Sequence, residues 1–182
     1  MAQGTLYVGT RIIARPTLGF LLRSPAHFIA LGGGLGLIPF APGTFGTLLA
    51  LPLFWWLNPQ LRPGVFLLLL AALYLIGIWC CGRTGKALGV QDHKGIVWDE
   101  TVAFLIVLFF TPIEPVWQAF AFLLFRLFDI FKPGPIRAIE RMFGGGFGVM
   151  IDDLAAAFAT LLCFAVYKTV MPGGLSFGPA LV

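Results

Sequence analysis

An all-α bundle of membrane-embedded helices is the architecture this sequence predicts, and three observations carry it. Of 182 residues, 59% are hydrophobic and only 11% are charged, where soluble domains carry about 25% charged residues. Mean hydropathy is +0.94, so a soluble fold would have to enclose more apolar surface than a chain of this length can hide. The apolar residues also fall into about five segments separated by breaks rich in Pro, Gly and charge. The length suits one bundle rather than several domains. We expect a cytoplasmic N-terminal segment at 1–23, a membrane-embedded domain at 24–171 and a C-terminal tail at 172–182.

The elements follow in order. Residues 1–23 lack the unbroken apolar core of a cleavable signal, because Arg11, Arg15 and Arg23 interrupt it. "RSPAHFIALGGG" (Arg23 to Gly34) offers Ser24 as a cap and Pro25 at the first helical position, then stops at three glycines. At about eight residues this helix is too short to span a bilayer, so it is expected to lie at the interface or re-enter. "LGLIPFAPGTFG" (Leu35 to Gly46) is broken by Pro39, Pro42 and Gly43. Such backbone survives at membrane depth only where protein covers it or it lines a wet cavity. Five apolar segments come next: Phe45 to Leu57, Gly64 to Cys81, Thr101 to Phe110, Val116 to Phe131 and Leu154 to Met171. Trp55 and Trp56 close the first as interface anchors. "TPIEP" separates the third from the fourth, which predicts two antiparallel crossings rather than one helix.

Cations orient the bundle. Arg11, Arg15 and Arg23, then Arg83, Lys86 and Lys94, then Arg126, Lys132, Arg137 and Arg141 fall on alternate turns and mark the cytoplasmic side. Arg62 and Lys168 are the two exceptions. The net charge of +4 suits anionic lipid heads rather than nucleic acid, since no separate basic domain exists. Cys80, Cys81 and Cys163 sit inside apolar stretches, with neither disulfide nor metal spacing, and read as small buried hydrophobes.

The chain has eight carboxylates: Asp92, Asp99, Glu100, Glu114, Asp129, Glu140, Asp152 and Asp153. All but Glu114 map to the cytoplasmic side. Asp99 and Glu100 begin the third crossing, Asp129 ends the fourth, and Asp152 and Asp153 begin the fifth. Taken singly, each has an ordinary account. Asp caps helix N-termini, Arg126 and Asp129 are spaced for an i,i+3 ion pair, and Lys132, Arg137 and Arg141 serve as anchors. Taken together, two doubled acids exceed what capping needs, and ionisable groups at membrane depth are costly enough to point to function. Gathered carboxylates repel, and a hard divalent cation such as Mg2+ relieves that by taking carboxylate, water and phosphate oxygens. Arg126, Lys132 and Arg137 suit a phosphate, and glycine loops leading into helices offer N–H groups to an anion. The combination points to phosphoryl chemistry on a lipid head group.

Four blocks, "PFAPGTFGTLLA" (Pro39 to Ala50), "VQDHKGIVWDE" (Val90 to Glu100), "LFRLFDIFKPGPIR" (Leu124 to Arg137) and "GGGFGVMIDDLAAA" (Gly144 to Ala157), stand in the order seen in bacterial lipid phosphatases. With their charged residues they resemble the phosphatidylglycerophosphatase A family from about Ser24 to Thr160. The resemblance implies Mg2+-dependent removal of the terminal phosphate of phosphatidylglycerophosphate, giving phosphatidylglycerol. It also implies a multi-pass protein of the bacterial inner membrane with its site facing the cytoplasm. By position, Asp99 and Glu100 match the family's acidic pair, Arg126, Asp129, Lys132 and Pro133 its central block, and Asp152 and Asp153 its final pair. His93 falls in a matching block too. "LAAA" stands where an alanine–glycine step is common, so helix packing there is expected to differ.

The expected roles are then as follows. Asp99, Glu100, Asp129, Asp152 and Asp153 hold one or two Mg2+ ions. Arg126, Lys132 and Arg137 stabilise the transferring phosphate. Thr44 binds phosphate, serves as a nucleophile or, as the ordinary account has it, caps its loop. His93 or Asp92 protonates the leaving alkoxide, unless His93 is a structural hydrogen-bonder. Attack by water and attack by a carboxylate both stay open. Cysteine-phosphatase chemistry has no support, for want of a Cys leading through a short glycine-rich loop to an Arg. The rivals are a phospholipid phosphotransferase, a small ion-coupled transporter, whose acids belong near the midplane, and a structural membrane subunit.

Overall fold

The computed structural model describes residues 6–8, 11–13, 15–134 and 142–170. Arg137, Glu140, Arg141 and the 172–182 tail lie outside the described residues. Among the described residues the chain is helical from Leu18 onward, as the all-α expectation has it, and a short ribbon precedes the helices. Leu6–Val8 (β1) and Arg11–Ile13 (β2) form an antiparallel ribbon with Tyr7 opposite Ile12, as β-branched residues favour.

Two short helices follow, α1 at Leu18–Leu21 and α2 at Pro25–Ala30. Ser24 caps α2 as expected, its Oγ accepting from the Ala26 N–H at 3.3 Å. The chain then turns through Gly32, Gly33 and Gly34, at φ 56°, 65° and 117°. Residues with a Cβ rarely adopt such angles.

The five apolar segments all appear as helices: α3 at Pro42–Leu57, α4 at Pro63–Leu88, α5 at Trp98–Phe110, α6 at Pro115–Phe131 and α7 at Gly145–Val170. Three of them open on proline at the first position, where its missing N–H costs nothing. Helix α4 runs past the expected Cys81 to Leu88, so Arg83 and Lys86 stand on a helix rather than a loop. Helix α7 starts nine residues before the expected Leu154. Its glycine-rich first turns pack tightly on α4: a Cβ on Gly146 would lie 1.8 Å from the Ile78 carbonyl oxygen and 2.6 Å from the Gly82 nitrogen. Tertiary contact makes a helix of a stretch that looks like loop.

The expectation of five crossings is met only in part. Helices α4 and α7, 26 residues each with hydropathy 2.5 and 2.0, are long and apolar enough to cross a membrane. Helices α3, α5 and α6 have 16, 13 and 17 residues. They reach about 20 to 26 Å, short of a hydrocarbon core about 30 Å thick.

Helix α5 is the centre of the bundle and packs on α3, α4, α6 and α7. Val102, Phe104, Leu105, Val107 and Leu108 along it are buried. Aromatic contacts tie the core: Phe66 stacks on Phe109 with ring centres 5.3 Å apart, and Phe104 meets Phe125 at 5.4 Å. At the end where α3 stops and α6 starts, the indole N–H of Trp55 donates to Gln118 Oε1 at 2.9 Å. The opposite end carries the acids.

Candidate active site

The site begins where α5 starts against α3. Val97 precedes α5 and supplies no side-chain cap. Asp99 does part of that work, its Oδ1 accepting from the Glu100 N–H at 3.0 Å. Glu100 lies over the first turns of α3 in a notch of missing side chains. A Cβ on Gly43 would sit 1.8 Å from Glu100 Oε1, and one on Gly46 would sit 2.7 Å from Val97 Cβ. Thr101 locks the two helices by donating at 2.8 Å toward the Gly46 and Val97 carbonyls.

The end of α6 enters from the other side. Arg126 Nη1 lies 2.6 Å from Asp129 Oδ2 and 3.4 Å from Glu100 Oε1. It also donates to Thr47 Oγ1 at 3.3 Å, while that hydroxyl donates to the Gly43 carbonyl at 3.0 Å. Lys132 ends α6 in the left-handed region, at φ 40°, and its Nζ lies 2.5 Å from Asp152 Oδ2. Asp152 Oδ1 accepts from the Asp153 N–H at 3.0 Å.

Asp152 and Asp153 do not begin a helix, as their place in the sequence suggested. They stand about two turns inside α7, buried among neighbouring helices. Capping therefore does not explain them.

The acids do gather. Asp153 lies in the field of Asp99, Glu100, Asp129 and Asp152, and Asp99 in that of Asp92, Asp129 and Asp152. Asp99, Glu100, Asp129, Asp152 and Asp153 thus share one end of the bundle with two cations, Arg126 and Lys132. Buried charge is costly unless compensated, and here carboxylates outnumber their partners. Among the described residues, Glu100 Oε2 and Asp153 Oδ2 are buried with no hydrogen-bond partner, as is Arg126 Nε.

Among the described residues, no group of three or more His, Cys, Asp or Glu side chains stands close enough together to hold a metal ion. The donor set still fits a hard divalent cation: it is all oxygen, in carboxylate excess, and two of its oxygens have no partner.

Beside the acids lies a cavity of about 190 Å³ lined by Gln91, Asp92, Phe143, Gly148, Val149 and Asp152. Gln91 bridges its rim, donating to the Gly145 carbonyl at 3.4 Å. A larger groove of about 610 Å³ runs between α5 and α7, but its lining is apolar apart from Lys168 and includes none of the acids. The smaller cavity is the one of the two that touches the acids.

His93 is buried in the same loop, and its Nδ1 accepts from the Gly95 N–H at 3.0 Å. Any proton it exchanges must therefore pass through Nε2. Thr44 is half-buried in the first turn of α3, but the threonine that touches the charges is Thr47, one turn on. Sequence reading missed Thr47 and the Gly43–Gly46 notch. The i,i+4 spacing of Gly43 and Thr47 in "PGTFGT" was the available signal.

A family model described as Phosphatidylglycerophosphatase A matches residues 28–168. A Haemophilus influenzae protein of that name is 45% identical over 147 residues, covering 80% of this chain and 90% of the relative. An Escherichia coli protein of the same name is 42% identical over 136 residues, covering 74% and 78%. A Bacteroides thetaiotaomicron protein, named provisionally as a phosphatidylinositol-3-phosphatase, is 38% identical over 151 residues, covering 79% and 93%. No solved structure matches.

Proposed function

The chain belongs to the phosphatidylglycerophosphatase A family, and from that premise we propose how its acid cluster works. It is a phosphatase that removes the terminal phosphate of phosphatidylglycerophosphate in bacterial phospholipid synthesis, releasing phosphatidylglycerol and inorganic phosphate. The observation that carries the mechanism is the excess of buried carboxylates over cations at one end of the bundle, with Glu100 Oε2 and Asp153 Oδ2 left unpartnered.

In this reading Asp99, Glu100, Asp129, Asp152 and Asp153 hold Mg2+. When bound, the cation supplies charge to phosphate oxygens and makes a water more acidic. Lys132 and Arg126 are held in place by Asp152, Asp129 and Glu100, ready to share their charge with an arriving phosphate. Arg137 is proposed to join them, and Thr44 to line the phosphate's approach.

The substrate phosphate enters the cavity beside Asp152 while its acyl chains stay in the bilayer. A water oxygen bonds to phosphorus as the bond to the glycerol oxygen breaks. A carboxylate takes the water's proton, and Asp92 or His93 Nε2 gives one to the departing oxygen. Carboxylate attack remains the alternative for the first step. The protein is proposed to be a multi-pass protein of the bacterial inner membrane, with this site toward the cytoplasm and the short helices α3, α5 and α6 crossing where the bilayer thins.

One assay tests the whole reading: inorganic phosphate released by the purified chain in detergent, with Mg2+ and with chelator. Phosphatidylglycerophosphate, phosphatidic acid and phosphatidylinositol 3-phosphate are compared, with no alcohol acceptor added. Mg2+-dependent release from the first above the others is expected. Undiminished release under chelator refutes the cation, and release only when an acceptor alcohol is added favours a phosphotransferase.

A further inference from the structure

Tyr74, which lies in none of the four sequence blocks, stands in α4 at the level of the acids. The carbonyl of its neighbour Leu73 accepts from the Trp98 indole N–H at 3.3 Å, which sets this turn of α4 beside the start of α5. One turn on, Gly77 fits so closely against α7 that a Cβ there would lie 2.6 Å from Met150 Sδ. The Tyr74 ring packs against the cluster that includes Val102, Val149 and Met150.

Packing alone explains the ring but not the hydroxyl. Among the described residues, the Tyr74 hydroxyl is buried and has no hydrogen-bond partner, and each such group calls for a reason. Asp152 and Asp153 are the charges acting on it, and Asp153 Oδ2 is itself a buried acceptor without a partner. A donor lacking an acceptor and an acceptor lacking a donor stand in each other's field.

We propose that Tyr74 is a positioning residue: its O–H reaches Asp153 Oδ2 through one water and fixes that carboxyl so that its other oxygen faces the cation. This rests on the reading of the acid cluster as a cation site. Partners that orient ligating carboxylates typically contribute about 10- to 100-fold in metal affinity.

The test uses Mn2+ as the probe, its binding to the purified full chain in detergent followed by electron paramagnetic resonance. Tyr74→Phe removes only the oxygen, and Tyr74→Leu removes the ring as well. Both variants are expected to bind Mn2+ about tenfold more weakly than the parent. Tyr74→Phe is further expected to keep the parent's unfolding temperature and to need more Mg2+ for half-maximal phosphate release. Parent-like Mn2+ affinity in Tyr74→Phe overturns the proposal and leaves the cation site standing. Failure of the parent itself to bind Mn2+ overturns the cation site, and this proposal with it.

Discussion

Lys132 holds a left-handed backbone at the end of α6, at φ 40°, where helices commonly place glycine. The strain costs a side-chain-bearing residue about 1 kcal/mol, and Pro133 follows at once. What the lysine supplies in return is its ammonium, 2.5 Å from Asp152 Oδ2. Lys132→Gly and Lys132→Ala both delete that charge, but only glycine relieves the backbone. We expect both variants to lose phosphatase activity, with the glycine form about 1 kcal/mol the more stable in detergent unfolding. Equal stability would remove the strain argument. Asp153→Asn tests the acids from the other side. It keeps the shape and deletes a charge that faces Asp99, Glu100, Asp129 and Asp152. Activity should fall about 100-fold or more, while the unfolding temperature holds or rises because repulsion is relieved. Activity near the parent's would remove Asp153 from the site. At this scale the charges were legible, since a chain with so few acids advertises where it spends them. Thr47 and Tyr74 were not legible: one hydroxyl among many reveals its partner only once helices are placed beside each other.

The crossing of α4 and α7 is where local propensity and packing disagree most. "FGGGFGVMIDD" reads as loop because glycine is a poor helix former. In the structure these glycines let two backbones touch, with Gly146 against Ile78 and Gly82. That contact extends α7 by nine residues and carries Asp152 and Asp153 into the interior, so the acids' side of the bundle could be read from sequence but their depth could not. Gly146→Ala should therefore destabilise the bundle by about 1 to 3 kcal/mol. Gly64→Ala in α4, where an added Cβ meets nothing within 4 Å, should be neutral or stabilising by up to about 1 kcal/mol. Similar unfolding temperatures for the two would refute the close crossing. Helix α2 docks on α4 through His27, whose Nδ1 lies 2.9 Å from Thr84 Oγ1 and whose ring stacks on Phe20 at 4.2 Å. Burial lowers the pKa of His27, and Arg83 and Arg23 lower it further. The unfolded chain therefore takes up this proton first, below about pH 6.5. Stability is full above that pH and declines as pH falls toward the folded-state value. His27→Gln should flatten that part of the stability profile, and an unchanged slope would exclude His27 as its source.

The molecule as a whole is polarised between two ends. Asp99, Glu100, Arg126, Asp129 and Lys132 meet where α5 starts and α6 stops, while Trp55, Trp56 and Trp117 stand at the other end. Helix α4, at 26 residues, is about 39 Å long, enough to join one membrane face to the other. Tryptophan belts and cationic loops are the usual marks of the two interfaces, so the proposed topology puts the acids at a water boundary rather than at the midplane, where a coupling-ion site would sit. Sidedness then becomes measurable. Gln60 in the turn after α3 and Lys86 in the last turn of α4 are both exposed. On a Cys163→Ser background, Gln60→Cys should react with a membrane-impermeant maleimide in intact spheroplasts. Lys86→Cys should react only after the membrane is opened. Labelling of both from one side would mean that α4 does not cross, leaving the acids on the same face as Trp55, Trp56 and Trp117. The reverse pattern would put the site outside and refute its proposed cytoplasmic placement.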